Sequence, residues 1–248
     1  MDSAAAGTRS LAMLLESVPD ARAPSAAPIA DVCVRGVNTD ARRVRHGDLY
    51  IAIAGVQADG HTFAAEAARR GAAAIVAERS IPFAGPPVIV VDSSRRALAA
   101  IAAAWFGRPA DRLRLVGITG SLGKTSILMM LSSILDGADG RVGIVGSLGA
   151  RLGERGERTR LTTPDAWDLH RILRWMADAG AERVIMEATS HALEQERLHG
   201  LAYELGVFTN LVPLEHGEYH GSFRGYVETK RGFLDRLEPH APIVYGAG

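Results

Sequence analysis

Residues 113–135, LRLVGITGSLGKTSILMMLSSIL, leave this chain few folds to choose from. Leu113, Leu115, Val116 and Ile118 read as a short buried strand, and Ile127, Leu128, Met130, Leu131, Ile134 and Leu135 recur at helical spacing. Between them stand Thr119-Gly120-Ser121-Leu122-Gly123-Lys124-Thr125-Ser126. A strand feeding a glycine turn and then a helix aims backbone N–H groups and the positive end of the helix dipole at one point, which suits a phosphate. Lys124 is then placed to reach terminal phosphates, and the Thr125 hydroxyl to sit on Mg²⁺. The strict phosphate-loop pattern asks for glycine where Ile118 stands, with Gly117 and Gly120 on either side. An ordinary glycine-rich turn is the alternative. The flanking strand and helix are what phosphate binding requires, so a nucleotide site is the reading adopted.

A length of 248 residues admits two ordinary domains or one large one. Apolar residues make up 47% of the chain and the formal net charge is zero, so nothing points to a nucleic-acid or anionic-membrane partner. Cys33 is the only cysteine, which rules out an internal disulfide and suggests a reducing compartment. Asp2 stands where a signal peptide would be basic, and the apolar stretch at 11–15 is too short for a membrane span. The expectation is a cytoplasmic protein. Arginine supplies nearly all the positive charge, and Lys124 and Lys230 are the only lysines. Codon bias explains the arginines; a lysine that survives such a bias can mark a position where an amine is needed and a guanidinium fails.

Taken in order, residues 1–30 read as a helix and an Ala/Pro/Ser linker. Residues 31–110 read as a small α/β domain. Val32, Val34 and Val37, then Leu49, Ile51 and Ile53, suggest two strands separated by a basic turn. A helix over 66–71, strands over 72–77 and 88–91, and a helix over 94–106 complete it. Residues 111–248 open with the phosphate-loop strand. Strands are expected at 141–145, 183–188, 205–211 and 242–245, and helices from 163 to 180 and from 225 to 237. Strands alternating with helices predict a mostly parallel, doubly wound sheet, with ligands at the carboxyl ends of its strands. Glu187 and Asn210, both at strand ends, should therefore share a crevice with the phosphate loop. Glu187 suits a magnesium ion, and Thr189-Ser190-His191, Gln195, Arg197 and Glu215-His216-Gly217-Glu218-Tyr219-His220 add polar groups nearby in sequence.

Together these segments resemble the Mur ligase family, and most closely its members that add the third residue to UDP-N-acetylmuramoyl-dipeptide. The family pattern GxTGTNGKTT is matched by residues 117–126. Its TTP is matched by Thr162-Thr163-Pro164, and its MExSSHxL…QxR by 186–193 with Gln195 and Arg197. FTNLxxDHLDYHG is matched by 208–221, and DSRxVxxGDLFvAxxG by 40–55. The resemblance implies ATP on Gly120, Ser121, Leu122, Gly123, Lys124, Thr125, Ser126 and Asn210. It implies Mg²⁺ on Thr125, Glu187 and His216, and a carbamylated Lys230 on a second Mg²⁺; the family's carbamylated lysine lies fourteen residues beyond its histidine, and fourteen from His216 is Lys230. Lys124, Lys230 and His216 would be the catalytic set. Thr39, Ala41, Val56, Gln57 and Ala58 would meet the uridine end of the substrate, and Thr162, Thr163, Thr189, Gln195 and Arg197 the remainder. The implied reaction is ATP-dependent: a phosphoryl group activates the substrate carboxylate, and an amino acid displaces it to form an amide.

The match has departures. Leu122 stands where the family has Asn, Ala41 where it has the Ser that meets uridine, Thr189 for Ser, Glu215 and Glu218 for Asp, and Gly217 for Leu. The family also continues into a third domain. The sequence therefore also admits a split enzyme with a separate C-terminal-domain partner, or a degenerate paralogue that binds nucleotide or UDP-sugar peptide without ligating. Folylpolyglutamate synthetase, a related amide ligase, is disfavoured by the N-terminal domain and the TTP segment.

Overall fold

Short apolar runs alternating with helical stretches produce two main sheets, one wholly and one mostly parallel, in two units, Met1–Phe106 and Gly107–Gly248. A computed structural model describes residues 7–24, 29–55, 58–82, 85–136, 141–213 and 221–246. In the first unit β1 (Arg9–Ser10) leads into α1 (Leu11–Leu15), and β2 (Cys33–Val34) pairs antiparallel with β1. Leu11 and Leu14, one helical turn apart, are wholly buried, and the backbone of Arg22 bridges to Val90. Residues 7–24, expected as a separate helix and linker, are thus packed into the first unit. A helix this short needs such packing to persist.

The sheet of this unit takes β3 (Gly36–Asn38), β4 (Asp48–Ile51), β5 (Ala74–Ala77) and β6 (Val88–Val90) in that order, all parallel. Helix α2 (Ala64–Arg69) precedes β5, and α3 (Ser94–Trp105) follows β6, capped by Ser93. The segment between β3 and β4 is a 3-10 turn, Ala41–Arg43, in which the Asp40 side chain accepts from Arg42 N–H; it reverses the chain so that the next strand runs parallel. After α3, Gly107 (φ +74°) and Arg108 (φ +51°) both adopt the left-handed conformation that ends a helix. The division between the units falls there, a few residues before the expected boundary at 110.

The second unit is built from β7 (Arg114–Thr119), α4 (Lys124–Asp136), β8 (Val142–Gly146), β9 (Gly149–Leu152), β10 (Arg155–Glu157), α5 (Ala166–Asp178), β11 (Arg183–Glu187), α6 (Ser190–Glu194), β12 (Leu205–Phe208), α7 (Phe223–Arg231) and β13 (Ile243–Tyr245). Its seven strands lie in the order β10-β9-β8-β11-β7-β12-β13, parallel except for the β8–β9–β10 meander. Strand β8 answers the strand expected at 141–145, whereas β9, β10 and α6 have no counterpart in the sequence reading. Strand β12 stops at Phe208, short of the expected 211. Helix α7 begins earlier than expected and ends at Arg231, capped by Gly232, with a 3-10 turn, Leu234–Arg236, after it. Core strands such as β7 and β11 are buried along nearly their whole length, as parallel strands covered on both faces must be. Register places the site: Glu187 pairs with Ile118 and Phe208 with Thr119, so residues following β11, β7 and β12 emerge together at one sheet edge.

Candidate functional site

At that edge the chain turns from β7 into α4. Gly120 takes φ +131° and Gly123 φ +80°, conformations open to glycine. A Cβ on Gly120 would run into Thr209 Oγ1, whereas one on Gly123 would meet nothing within 4 Å, so the loop is packed behind and open in front. The first turn of α4 leaves its N–H groups without partners inside the helix. Lys124 Nζ donates to the carbonyls of Gly120 and Ser121, 2.9 Å each, and so lies across its own loop. Burial pulls its ammonium below the ordinary lysine range, and the negative charge of Glu187 pulls the other way. Left-handed glycines, the N-terminal turn of a helix and a cation over the turn fit a phosphate chain.

Glu187 is 1% exposed at the end of β11. Its Oε1 accepts from the Thr125 hydroxyl and from Ser147 N–H, both at 2.9 Å, and Ser147 Oγ lies 3.2 Å from Thr162 Oγ1. Carboxylate and hydroxyl oxygens beside a phosphate loop are the hard donors that magnesium takes. Among the described residues no group of three or more His, Cys, Asp or Glu could hold a metal. An ion here would draw its remaining ligands from phosphate and water, the usual arrangement for magnesium.

Next to this pair, Thr163 Oγ1 donates to the Glu187 carbonyl at 2.7 Å and lies 3.0 Å from Thr189 Oγ1. Thr189 also caps α6 by accepting from Ala192 N–H. Arg197 donates to the Thr163 carbonyl at 2.8 Å and to Gln195 Oε1 at 2.6 Å. The segment after β12 closes the other side: Asn210 Oδ1 accepts from Leu122 N–H at 3.0 Å, and Thr209 Oγ1 donates to the Leu122 carbonyl at 2.6 Å. The Leu122 side chain is 55% exposed while its backbone is held.

Lys230 is 1% exposed on α7. Its amine is pushed down to about 7, chiefly by burial, with the positive charge of Lys124 adding to the effect. The two lysines of the chain therefore feel each other electrostatically.

In the first unit a cavity of about 340 Å³ is lined by residues that include Thr39, Ala41, Tyr50, Ala58 and Phe63. The Tyr50 hydroxyl donates to the Gly60 carbonyl at 2.9 Å and fixes one wall. Burial drives that phenol up to about 12. Behind the wall, buried His61 joins Asp59 through Nδ1 at 2.5 Å and accepts from Glu78 N–H through Nε2 at 2.9 Å.

The structure thus brings Lys124, Thr125, Glu187, Thr162, Thr163, Thr189, Gln195, Arg197, Asn210 and Lys230 into one unit, and Thr39, Ala41 and Ala58 onto one cavity of the other. Ser126 lies exposed in the first turn of α4. His216, Val56 and Gln57 lie outside the described residues. Sequence reasoning passed over Ser147, Thr209 and Tyr226. Ser147 lies two residues beyond the strand expected at 141–145, and its place just past a strand end is the signal that could have marked it.

Comparison with known proteins agrees with this layout. The model of the Mur ligase middle domain matches residues 118–247, and that of the Mur ligase family, catalytic domain, matches residues 34–106. UDP-N-acetylmuramoyl-L-alanyl-D-glutamate--2,6-diaminopimelate ligase of Bacillus licheniformis is 39% identical over 214 residues, covering 86% of this chain and 43% of the relative. The protein of that name from Mesorhizobium japonicum is 42% identical over 218 residues, covering 87% and 44%. A solved structure under the same name superposes with a TM-score of 0.74 at 26% identity, over 94% of this chain and 46% of that one. The MurF ligase of Thermotoga maritima in complex with ADP gives 0.54 at 25% identity, over 84% and 45%. The chain spans less than half the length of the curated relatives it matches.

Proposed function

The chain belongs to the Mur ligase family, and we propose that it carries the ATP-handling part of an acid–amino-acid ligase of peptidoglycan precursor synthesis, one that extends UDP-N-acetylmuramoyl-dipeptide. The observation that carries this reading is the meeting of Lys124, Thr125 and Glu187 at one strand edge, with Thr125 Oγ1 2.9 Å from Glu187 Oε1. Phosphoryl transfer needs positioning and charge neutralisation more than covalent help. The turn at Gly120 and Gly123 would hold the phosphates of ATP, and Lys124 would leave its two carbonyl partners for phosphate oxygens. Thr125 and Glu187 would hold Mg²⁺, joined by His216 as the family resemblance implies; bound there, the ion would offset the charge that develops during transfer. Thr162, Thr163, Thr189, Gln195 and Arg197 would orient the muramoyl-peptide so that its terminal carboxylate attacks the γ-phosphorus, releasing ADP. The amine of the incoming amino acid would then attack the acyl carbon, with phosphate leaving and a proton lost. The cavity of Thr39, Ala41 and Ala58 would take the uridine end.

Lys230 fits the carbamate role for a physical reason. A buried amine held at about 7 is largely neutral at cytoplasmic pH, and only the neutral amine attacks carbon dioxide. The step forms an N–C bond and releases one proton, leaving an anionic oxygen ligand for a second Mg²⁺. Choice of the amino acid would fall to further chain or to a separate C-terminal-domain partner. A second reading, binding of nucleotide or UDP-sugar peptide without ligation, draws on Leu122, whose exposed apolar side chain stands where the family has Asn.

Isothermal titration with ATP–Mg²⁺ and with UDP-N-acetylmuramoyl-dipeptide, alongside Lys124→Ala, tests the reading. Both ligands should bind, and Lys124→Ala should lose ATP. Binding of ATP alone would favour the second reading, and binding of neither would sink both.

A further inference from the structure

Tyr226 sits one turn before Lys230 on α7 and is 3% exposed. Its hydroxyl lies 2.9 Å from Ser121 Oγ in the phosphate loop. Either hydroxyl can be the donor in that bond; Ser121 Oγ also lies 3.3 Å from the Val212 carbonyl and accepts from Val212 N–H at 3.1 Å, which ties the loop serine in place. The same tyrosine presents its ring to Lys230, whose Nζ lies 5.0 Å from the ring centroid, and Phe223 stacks on that ring at 6.3 Å. One side chain therefore touches the loop that carries Lys124 and also the second lysine.

We propose that Tyr226 is a positioning residue that sets the Lys230 amine relative to the phosphate loop, with its hydroxyl on Ser121 and its ring against Nζ. The inference rests on the ligase reading for its functional meaning. A ligand to magnesium must sit within a few tenths of an ångström of its place, because the ion demands near-ideal octahedral geometry. Lys230 has a long, flexible stem, and burial alone does not fix where its end lies. A rigid ring anchored at its far end does: the hydroxyl bond stops the ring from swinging, and the ring then forms a fixed wall for the amine. Burial raises the Tyr226 phenol above its ordinary value, so it stays protonated and hydrogen-bonded to Ser121 throughout the working range.

The two-lysine composition makes this testable by nuclear magnetic resonance. Lysine labelled with ¹³C at Cε yields two side-chain signals, and the Lys230 signal carries the ring-current displacement of Tyr226. Ser121→Ala and Tyr226→Phe should each move it toward the position of a solvated lysine, and the double variant should move it no further. Tyr226→Leu, which removes the ring, marks the limit of the displacement. A Lys230 signal unmoved by both single variants, or shifts that simply add, would overturn the proposal. Tyr226→Phe reads the same tie should Ser121→Ala not fold. Adding ATP–Mg²⁺ to the wild-type sample reports separately on the ligase reading: an unmoved Lys124 signal would sink that reading and leave the Tyr226 result standing.

Discussion

His170 offers the most quantitative test of the second unit. It lies on the buried side of α5 at 2% exposure, and neither ring nitrogen has a hydrogen-bond partner among the described residues. Burial drives the imidazole down to about 4 from 6.5, with the Asp111 charge opposing and the Arg108 charge reinforcing the shift. At pH 7.5 the ring is neutral whether the chain is folded or not, so His170→Leu acts by removing one unpaired donor and one unpaired acceptor. Each such group costs about 1–3 kcal/mol when buried. An imperfect fit of the new side chain returns up to about 1.5 kcal/mol. The two groups together cost about 2–6 kcal/mol, so the net gain should be at least about 0.5 kcal/mol, which at this size raises the melting temperature by at least about 1 °C. The pH dependence gives a second, independent number. As pH falls below 6.5 the unfolded chain takes up a proton that the folded chain refuses until about 4, so the wild type loses stability across that window. At pH 5 the loss amounts to about 2 kcal/mol by linkage. The leucine variant has no such term, so its advantage should widen by that amount between pH 7.5 and pH 5. Urea unfolding at the two pH values, followed by the fluorescence of Trp105, Trp167 and Trp175, measures both. Parallel pH dependence in the two proteins, or a variant less stable at pH 7.5, would refute the reasoning.

Gly120→Ala should abolish nucleotide binding and cost about 2 kcal/mol or more of stability, since the new methyl meets Thr209 Oγ1 and the backbone stays at φ +131°; calorimetry and thermal melts check the two effects. Glu187→Gln keeps an acceptor for Thr125 and Ser147 but removes the charge, so the Mg²⁺ concentration needed for ATP binding should rise about tenfold or more. A magnesium titration at fixed ATP that matches wild type would exclude Glu187 as a ligand. With dissolved carbon dioxide held constant, a ¹³C carbamate resonance should grow as pH rises through about 7, where the Lys230 amine loses its proton, and should be absent from Lys230→Arg.

Much of the site could be read from the chain because its grammar is local. A β-strand that ends at a glycine turn and reopens as a helix needs no partner elsewhere to announce a phosphate cradle, and the burial of β7 and β11 on both faces follows from their unbroken apolar runs. The small elements were harder. Strands β9 and β10 carry little periodic pattern and exist because β8 offers them an edge. Helix α6 is a single turn whose cap, Thr189, drew attention as a ligand instead. Residues 7–24 read as helix and linker, yet Leu11 and Leu14 anchor them to the first unit.

The sequence by itself determined the class of the longer strands and helices, the place of the phosphate loop, and the scarcity of lysine that singled out Lys124 and Lys230. Only the tertiary structure decided which side chains meet at the strand edge. Parallel register and the packing of α7 bring Glu187 to Thr125 across 62 residues and Tyr226 to Ser121 across 105, and they bury Lys230. Periodicities of 2 and 3.6 state which face of an element is apolar. They carry no information about which ends are aligned, because alignment is set by how separate strands hydrogen-bond and pack.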